Sequence, residues 1–186
     1  MRALNGKYPA LFHGLGLMLF CCLPLSGAVN MFLKVEGIDG EATVNGYEDM
    51  IETLNYSWGL GNDADGADPL PLASRAVFTD LSVIKYVDRA TPDLFVKCAK
   101  GEHIPKVELF VTTTAGEMIY DFLVITIENC VVTSFYQSGS YADGRLTETV
   151  SFTYAKIKVA YTPLTDEGVP GATIDRTWNL QTNQQE

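Results

Sequence analysis

The sequence predicts a mainly β fold that bends into a barrel and carries one short α-helix. Three observations point there. Short runs rich in β-branched and aromatic residues recur along the chain, separated by Gly, Pro, Asn and Asp. The longest run changes phase part-way, as a bent strand does. A single segment carries matched helix start and stop signals. The chain has 186 residues, which suits one domain plus a tail, and a formal net charge of −10. Hydrophobic residues make up 47% and charged residues only 19%, which excludes a disordered chain. An acidic chain of this kind repels phosphate, so a nucleic-acid partner is not expected.

Residues 1–28 stand apart. They hold Arg2 and Lys7 and no acid, then an apolar run from Gly14 to Leu25, then Ser26-Gly27-Ala28. Basic start, short apolar middle and small residues at the end form the pattern of a secretory leader cut after Ala28. A spanning helix needs about 20 apolar residues, so no stable membrane insertion is expected. The alternative is a misassigned start, with translation beginning downstream of this segment. Residues 29–186 then form the folded domain. Without residues 1–28 the net charge moves from −10 to −12, two cysteines remain (Cys98, Cys130), and one histidine remains (His103).

The elements follow in order. Met31–Val35 is a first strand, closed by Gly37 and Gly40. Glu52–Trp58 is a second, ending at Gly59. Gly61–Pro71 holds Gly, Pro and three Asp and reads as a loop. Leu81–Val87 is a third strand. Lys106–Thr113, Met118–Glu128 and Val131–Ser138 follow at hairpin spacing, with turns expected at Ala115-Gly116 and Glu128-Asn129. Arg145–Tyr161 is the longest run: Val150, Phe152 and Tyr154 share one phase, and Ile157, Val159 and Tyr161 the other. A one-residue bulge near Tyr154-Ala155-Lys156 keeps both sets inward and bends the strand toward barrel closure. Thr173–Leu180 is the last strand.

The helix begins at Thr91-Pro92-Asp93, with a capping hydroxyl, a Pro at the first helical position and an acid in the first turn, at the positive dipole end. Leu94, Phe95 and Cys98 form its apolar stripe, and Gly101 stops it. So short a helix must dock on the barrel to persist. Trp58, Tyr86, Leu94, Phe95, Phe152 and Trp178 are the expected core and packing residues.

Chemistry-bearing motifs are sparse. A Ser–His–Asp or Cys–His site would have to use His103, which lies in the turn Gly101-Glu102-His103-Ile104-Pro105 and reads as a loop residue. No nucleophile elbow, phosphate loop or dinucleotide fingerprint occurs. Asp63-Ala64-Asp65-Gly66-Ala67-Asp68 has its Gly at the fourth position of a candidate calcium loop rather than the sixth, so it reads as a solvated acidic loop. One His and two distant Cys do not match a zinc spacing. No catalytic, cofactor-binding or metal residue is expected. A Cys98–Cys130 disulfide is left open by a sequence that carries no geometry.

Taken together the motifs resemble the Hcp family, the tube protein of type VI secretion. Ala28–Val35 with Gly37 and Gly40-Glu41 looks like its start, and Tyr56-Ser57-Trp58-Gly59-Leu60 like its Ser-Trp-Gly motif. Leu81–Asp88 followed by Ala90-Thr91-Pro92-Asp93-Leu94 is similar to its strand-then-helix signature. Cys98, Gly101, His103 and Pro105, then Arg145-Leu146-Thr147-Glu148 and Trp178-Asn179, follow in the family's order. The resemblance spans residues 28–183. It implies a β-barrel of two sheets with one helix, assembling as a homohexameric ring that stacks into a tube. It implies spike and sheath components of the apparatus as partners, effector proteins in the lumen, and no enzyme activity or cofactor. The alternative is an exported, monomeric binding module or effector of the same fold. Thr112–Glu117 lacks the basic pair common at that turn, and the loop after Trp58 is acidic rather than Gly-rich. The protein is expected to be secreted: assembled in the cytoplasm if the start is misassigned, periplasmic or extracellular if the leader is real.

Overall fold

The computed structural model describes residues 28–62, 76–115, 118–140, 144–165 and 168–186. Residues 1–27 and the acidic run from Asp63 to Asp68 lie outside them. Along the chain come β1 (Val29–Val35), β2 (Ile51–Ser57), β3 (Leu60–Asn62), β4 (Ala76–Phe78), β5 (Leu81–Tyr86) and α1 (Thr91–Lys100). Then follow β6 (His103–Ala115), β7 (Met118–Ser138), β8 (Thr147–Thr153), β9 (Lys156–Tyr161), β10 (Ile174–Asn179) and β11 (Gln184–Gln185). Among the described residues no helix is long and apolar enough to cross a membrane.

Six strands close on themselves in the order β7-β6-β1-β2-β5-β8, and β8 pairs back onto β7. The second half of β7 takes β8, from Val131 opposite Thr153 to Ser138 opposite Thr147. Its first half takes β9 on the same edge, from Leu123 opposite Tyr161 to Glu128 opposite Lys156. The sheet therefore forks: β8 closes the barrel with β5, while β9 carries β10 and β11 outward. The barrel core holds Leu33, Ile51, Leu81, Val83, Leu94, Leu109 and Phe152, all without solvent exposure.

The fork is prepared by a shared defect. Strand side chains on one face recur every second residue. Yet Ile104 and Val107 on β6, Ile127 and Cys130 on β7, and Tyr154 and Ile157 across the β8–β9 junction are each three apart and all buried. All three strands slip phase at one level, at Pro105, Asn129 and Ala155. Pro105 has no amide hydrogen to offer the ladder. Asn129 adopts a left-handed φ of 55°, which Asn tolerates better than most residues. The Ala155 amide donates to the Glu128 carbonyl at 3.0 Å, which holds the junction closed.

The bulge expected near Tyr154-Ala155-Lys156 is not found: the register against β7 is the same on both sides, Val131 opposite Thr153 and Glu128 opposite Lys156, the run divides there into β8 and β9, and the register shift lies between Val132 and Ser134 instead. Val150, Phe152, Tyr154 and Ile157 point inward as expected, whereas Tyr161, beyond the barrel, is 49% exposed. The turn expected at Glu128-Asn129 is not a turn: β7 runs through it for 21 residues, because the left-handed Asn129 absorbs the slip without reversing the chain.

Helix α1 differs from expectation at its start. Ala90 is the capping position, and Thr91 is the first helical residue. The Thr91 hydroxyl is drawn instead to Glu148 Oε1, to which it donates at 3.0 Å. Asp88 Oδ1 accepts from the Ala90 amide at 2.9 Å. The other end follows the sequence: Gly101 takes φ 61°, and its amide donates to the Cys98 carbonyl.

Candidate functional site

Three regions carry polar or apolar groups that the barrel itself does not consume. The first lies under the N-terminus of α1. Alternation on β5 puts Leu81, Val83 and Lys85 on the inner face, and alternation on β8 does the same for Glu148, Val150 and Phe152. Lys85 faces Glu148 across the β5–β8 ladder. Its ammonium, fully buried, donates to Glu148 Oε1 at 2.6 Å, Asp88 Oδ1 at 2.7 Å and the Tyr86 carbonyl at 2.9 Å. The Asp88 amide donates to Thr91 Oγ1 at 3.1 Å. Among the described residues, Glu148 Oε2 is buried with no partner. The cluster clasps β5, β8 and the helix start together. With no solvent access it is a structural clasp rather than a place for a substrate.

The second region is an arm, residues 36–50, laid over β1 and β6. Gly40 is required there, because a Cβ would lie 2.2 Å from the Met50 carbonyl oxygen. Phe32 stacks on Tyr47 at 4.5 Å, and the Tyr47 hydroxyl donates to Asp121 Oδ1 at 2.5 Å. Arg89, just before α1, donates to the Gly40 carbonyl and to Asp49. Its backbone amide donates to Glu41 Oε1 at 3.1 Å. The arm therefore ends up tied to the loop that also carries the clasp.

The third region is a cleft of about 360 Å³ between the β3–β4 hairpin and the outward strands β9 and β10. Trp58, Leu60, Phe78, Ile157, Val159 and Trp178 line it. Two of the expected packing residues, Trp58 and Trp178, thus meet in one place although 120 positions separate them in the chain. Leu60 is 58% exposed and Val77 on the same hairpin 49%. Exposed apolar side chains also mark the outer barrel wall, where Ile84 and Tyr136 flank Thr149 across three strands.

Of the remaining expected packing residues, Leu94 and Phe152 are fully buried and Tyr86 is half-buried beneath the Arg145 guanidinium, 3.8 Å from its ring centre. Phe95 is not a core residue. It is 57% exposed and meets Phe135 edge-on, while Leu94 is buried in the barrel and Cys98 packs partly buried against the core. His103 is exposed, 3.3 Å from Asn129 Oδ1. Cys98 and Cys130 are free thiols, so the disulfide left open by the sequence is not formed. Among the described residues no three His, Cys, Asp or Glu side chains gather as metal ligands. The sequence reading missed Lys85, Asp88 and Glu148. The inward phase shared by Lys85 with Leu81 and Val83 was the available signal.

Three buried groups hold their protons tightly. Burial, opposed by a backbone hydrogen bond from Val107, lifts the Cys130 thiol from 9.0 to about 12. Burial and the nearby Asp80 charge lift Tyr154 from 10.0 to about 12. Burial and its bond to Asp121 push Tyr47 well above the usual phenol range. The folded chain keeps these protons where the unfolded chain releases them. Stability is accordingly complete below about pH 9 and is lost as pH rises toward about pH 12. The urea midpoint is expected to fall between about pH 8 and pH 10.5; a flat profile contradicts this.

What this geometry offers is surface for protein contact: an apolar cleft, an exposed aromatic wall and a clamped arm. The family described as "Type VI secretion system effector, Hcp" matches residues 32–161. The chain belongs to the Hcp family. Protein hcp1 of Pseudomonas aeruginosa is 32% identical over 160 residues, which cover 85% of this chain and 99% of that one. A solved structure described as a type six secretion system protein superposes with a TM-score of 0.81 at 28% identity, covering 86% of this chain and all of that one. Hcp1 from Salmonella typhimurium gives 0.72 at 28% identity, covering 86% and 99%. The closed barrel with the short helix α1 is thus the Hcp fold, and the sequence resemblance is borne out.

Proposed function

We propose that the chain is the tube subunit of a type VI secretion apparatus. Six copies close head-to-tail into a ring, rings stack into a tube, and the lumen holds effector proteins. Spike and sheath components are its other partners. The carrying observation is the match over the full length of a type six secretion system protein at a TM-score of 0.81. The exposed Leu60, Val77, Ile84 and Tyr136 support it, since apolar groups left outside a stable barrel suit protein contact. In this reading the subunit has no catalytic step. His103 has an exposed Asn129 as its neighbour, and the Cys130 thiol is buried with its proton held to about 12, a poor nucleophile.

A head-to-tail contact that closes gives a cyclic oligomer, and a second such contact along the axis gives a filament. The charge sets a condition on the second contact. At −12 per copy from residue 29 onward, six copies carry six times that, −72 per ring. Salt screens such repulsion over about 8–10 Å at physiological strength. Native mass spectrometry is expected to give six chains, and sedimentation is expected to show more stacking as salt rises to physiological strength. A single chain at every concentration overturns the tube reading and favours the monomeric binding module, which the leader-like N-terminus supports. Stacking that weakens with salt overturns the charge argument alone.

A further inference from the structure

We infer that Asn45-Gly46, at the tip of the arm, is a self-modification site: the Glu48 carboxylate takes the Gly46 amide proton, the freed nitrogen closes on the Asn45 side-chain amide, and water then leaves aspartate or isoaspartate at position 45. The chemistry belongs to the folded chain itself and does not depend on ring formation.

Each part of the reaction is in place. The nucleophile is the Gly46 backbone nitrogen, and its hydrogen already points at a base: the Gly46 amide donates to Glu48 Oε2 at 2.9 Å. The electrophile is the Asn45 side-chain carbonyl carbon, one residue back. Asn45, Gly46 and Glu48 are all exposed, and among the described residues the Asn45 side chain makes no hydrogen bond. It is therefore free to turn toward that nitrogen. Gly46 keeps the approach open. It sits at φ 87°, has no side chain to shield its nitrogen, and even an added Cβ would meet nothing within 4 Å.

The steps balance. The Gly46 nitrogen gives its proton to Glu48 and bonds to Asn45 Cγ. The bond from Cγ to the side-chain nitrogen then breaks. That nitrogen takes the proton back from Glu48 and leaves as ammonia. A cyclic imide remains, and water opens it at either carbonyl. One opening gives aspartate. The other gives isoaspartate, whose main chain runs through the former side chain and gains one carbon. Nothing is oxidised or reduced, and Glu48 is regenerated.

The product acts on the arm because position 45 lies between two anchors. Val44 packs against the cluster of Phe32, Ala42 and Tyr47, and the Tyr47 amide donates to the Val44 carbonyl at 2.9 Å. An extra main-chain carbon between these anchors breaks that bond. A new carboxylate also enters the cleft of about 530 Å³ that Asn45, Tyr47 and Asp121 line together. Asp121 is the acceptor that holds the Tyr47 hydroxyl, so a like charge on the same wall opposes it. The arm loosens at its tip.

The test is ageing of the full-length chain at neutral pH, followed by peptide mapping. The chain's other Asn-Gly pair, Asn5-Gly6, falls in a separate peptide. The peptide holding Asn45 is expected to gain the mass difference between O and NH and to split into aspartate and isoaspartate forms. Glu48→Gln keeps an acceptor oxygen for the Gly46 amide but cannot take its proton. It is expected to slow conversion about tenfold, below the roughly hundredfold or more of a sheltered general base, because this one stands in water. Hydrogen exchange at the Tyr47 amide is expected to quicken in the aged parent. It is expected to stay unchanged in aged Asn45→Gln, whose longer side chain closes the ring far more slowly. Asn45 left intact, aspartate without isoaspartate, a Glu48→Gln chain converting at the parent's rate, or a converted chain with Tyr47 exchange unchanged overturns the inference.

Discussion

Replacing Lys85 with Met is expected to cost about 3–5 kcal/mol of folding stability, the range for removing one partner of a buried ion pair. Glu148 and Lys85 are both without side-chain exposure, and Asp88 retains only 7%. The variant leaves two carboxylates facing each other with no cation between them. Thr91 still donates to Glu148 and the Ala90 amide still donates to Asp88, but neither carries charge to offset. Against a whole-domain stability of roughly 5–15 kcal/mol, the loss threatens folding at 37 °C. The double variant Lys85→Met, Glu148→Leu is expected to recover most of it, because an apolar pair of similar volume replaces a buried ion pair at little or no cost. It also removes Glu148 Oε2, the buried oxygen with no partner among the described residues. Urea denaturation of the two variants decides the matter. A single variant within about 1 kcal/mol of the parent, or a double variant no better than the single, contradicts the clasp.

Phe152→Ala is the second large effect, about 3–5 kcal/mol, as for other aromatic truncations in close-packed cores. Phe152 has no exposure and sits between Leu81 of β5 and Val132 of β7, on the strand that closes the barrel. Phe95→Ala provides the contrast. Its ring is 57% exposed and makes one edge-on contact with Phe135, worth about 1 kcal/mol. The two unfolding midpoints are expected to separate clearly, although both residues belong to the same apolar reading of the sequence. Equal losses would place Phe95 in the core after all.

That contrast shows where sequence periodicity stops. A ten-residue helix shows in its sequence which side is apolar, yet Leu94 and Phe95 are about 100° apart, and only docking decides which of them the barrel accepts. The Thr91 hydroxyl illustrates the same limit. In isolation Thr-Pro-Asp is a helix start, but a buried Glu148 competes for the hydroxyl and shifts the cap to Ala90. Strands were legible because alternation is local. Lys85 and Glu148 were not, because a charged residue on an inward phase looks like noise until its partner, 63 positions away, is seen beside it. The Trp58–Trp178 cleft was hidden for the same reason: each Trp reads as a packing residue, and nothing in the chain says they share a wall.

The common slip at Pro105, Asn129 and Ala155 constrains how this protein can vary in length. Because neighbouring strands interlock tooth by tooth, a residue gained or lost near that line in one strand would rotate everything beyond it by half a period, exposing Val107 or Ile127 and burying Lys106 or Glu128 instead. Only a matched gain or loss in the adjoining strands restores the mesh. Insertions in descendants of this chain should therefore collect in its loops, while these three stretches keep a fixed count even as their side chains drift.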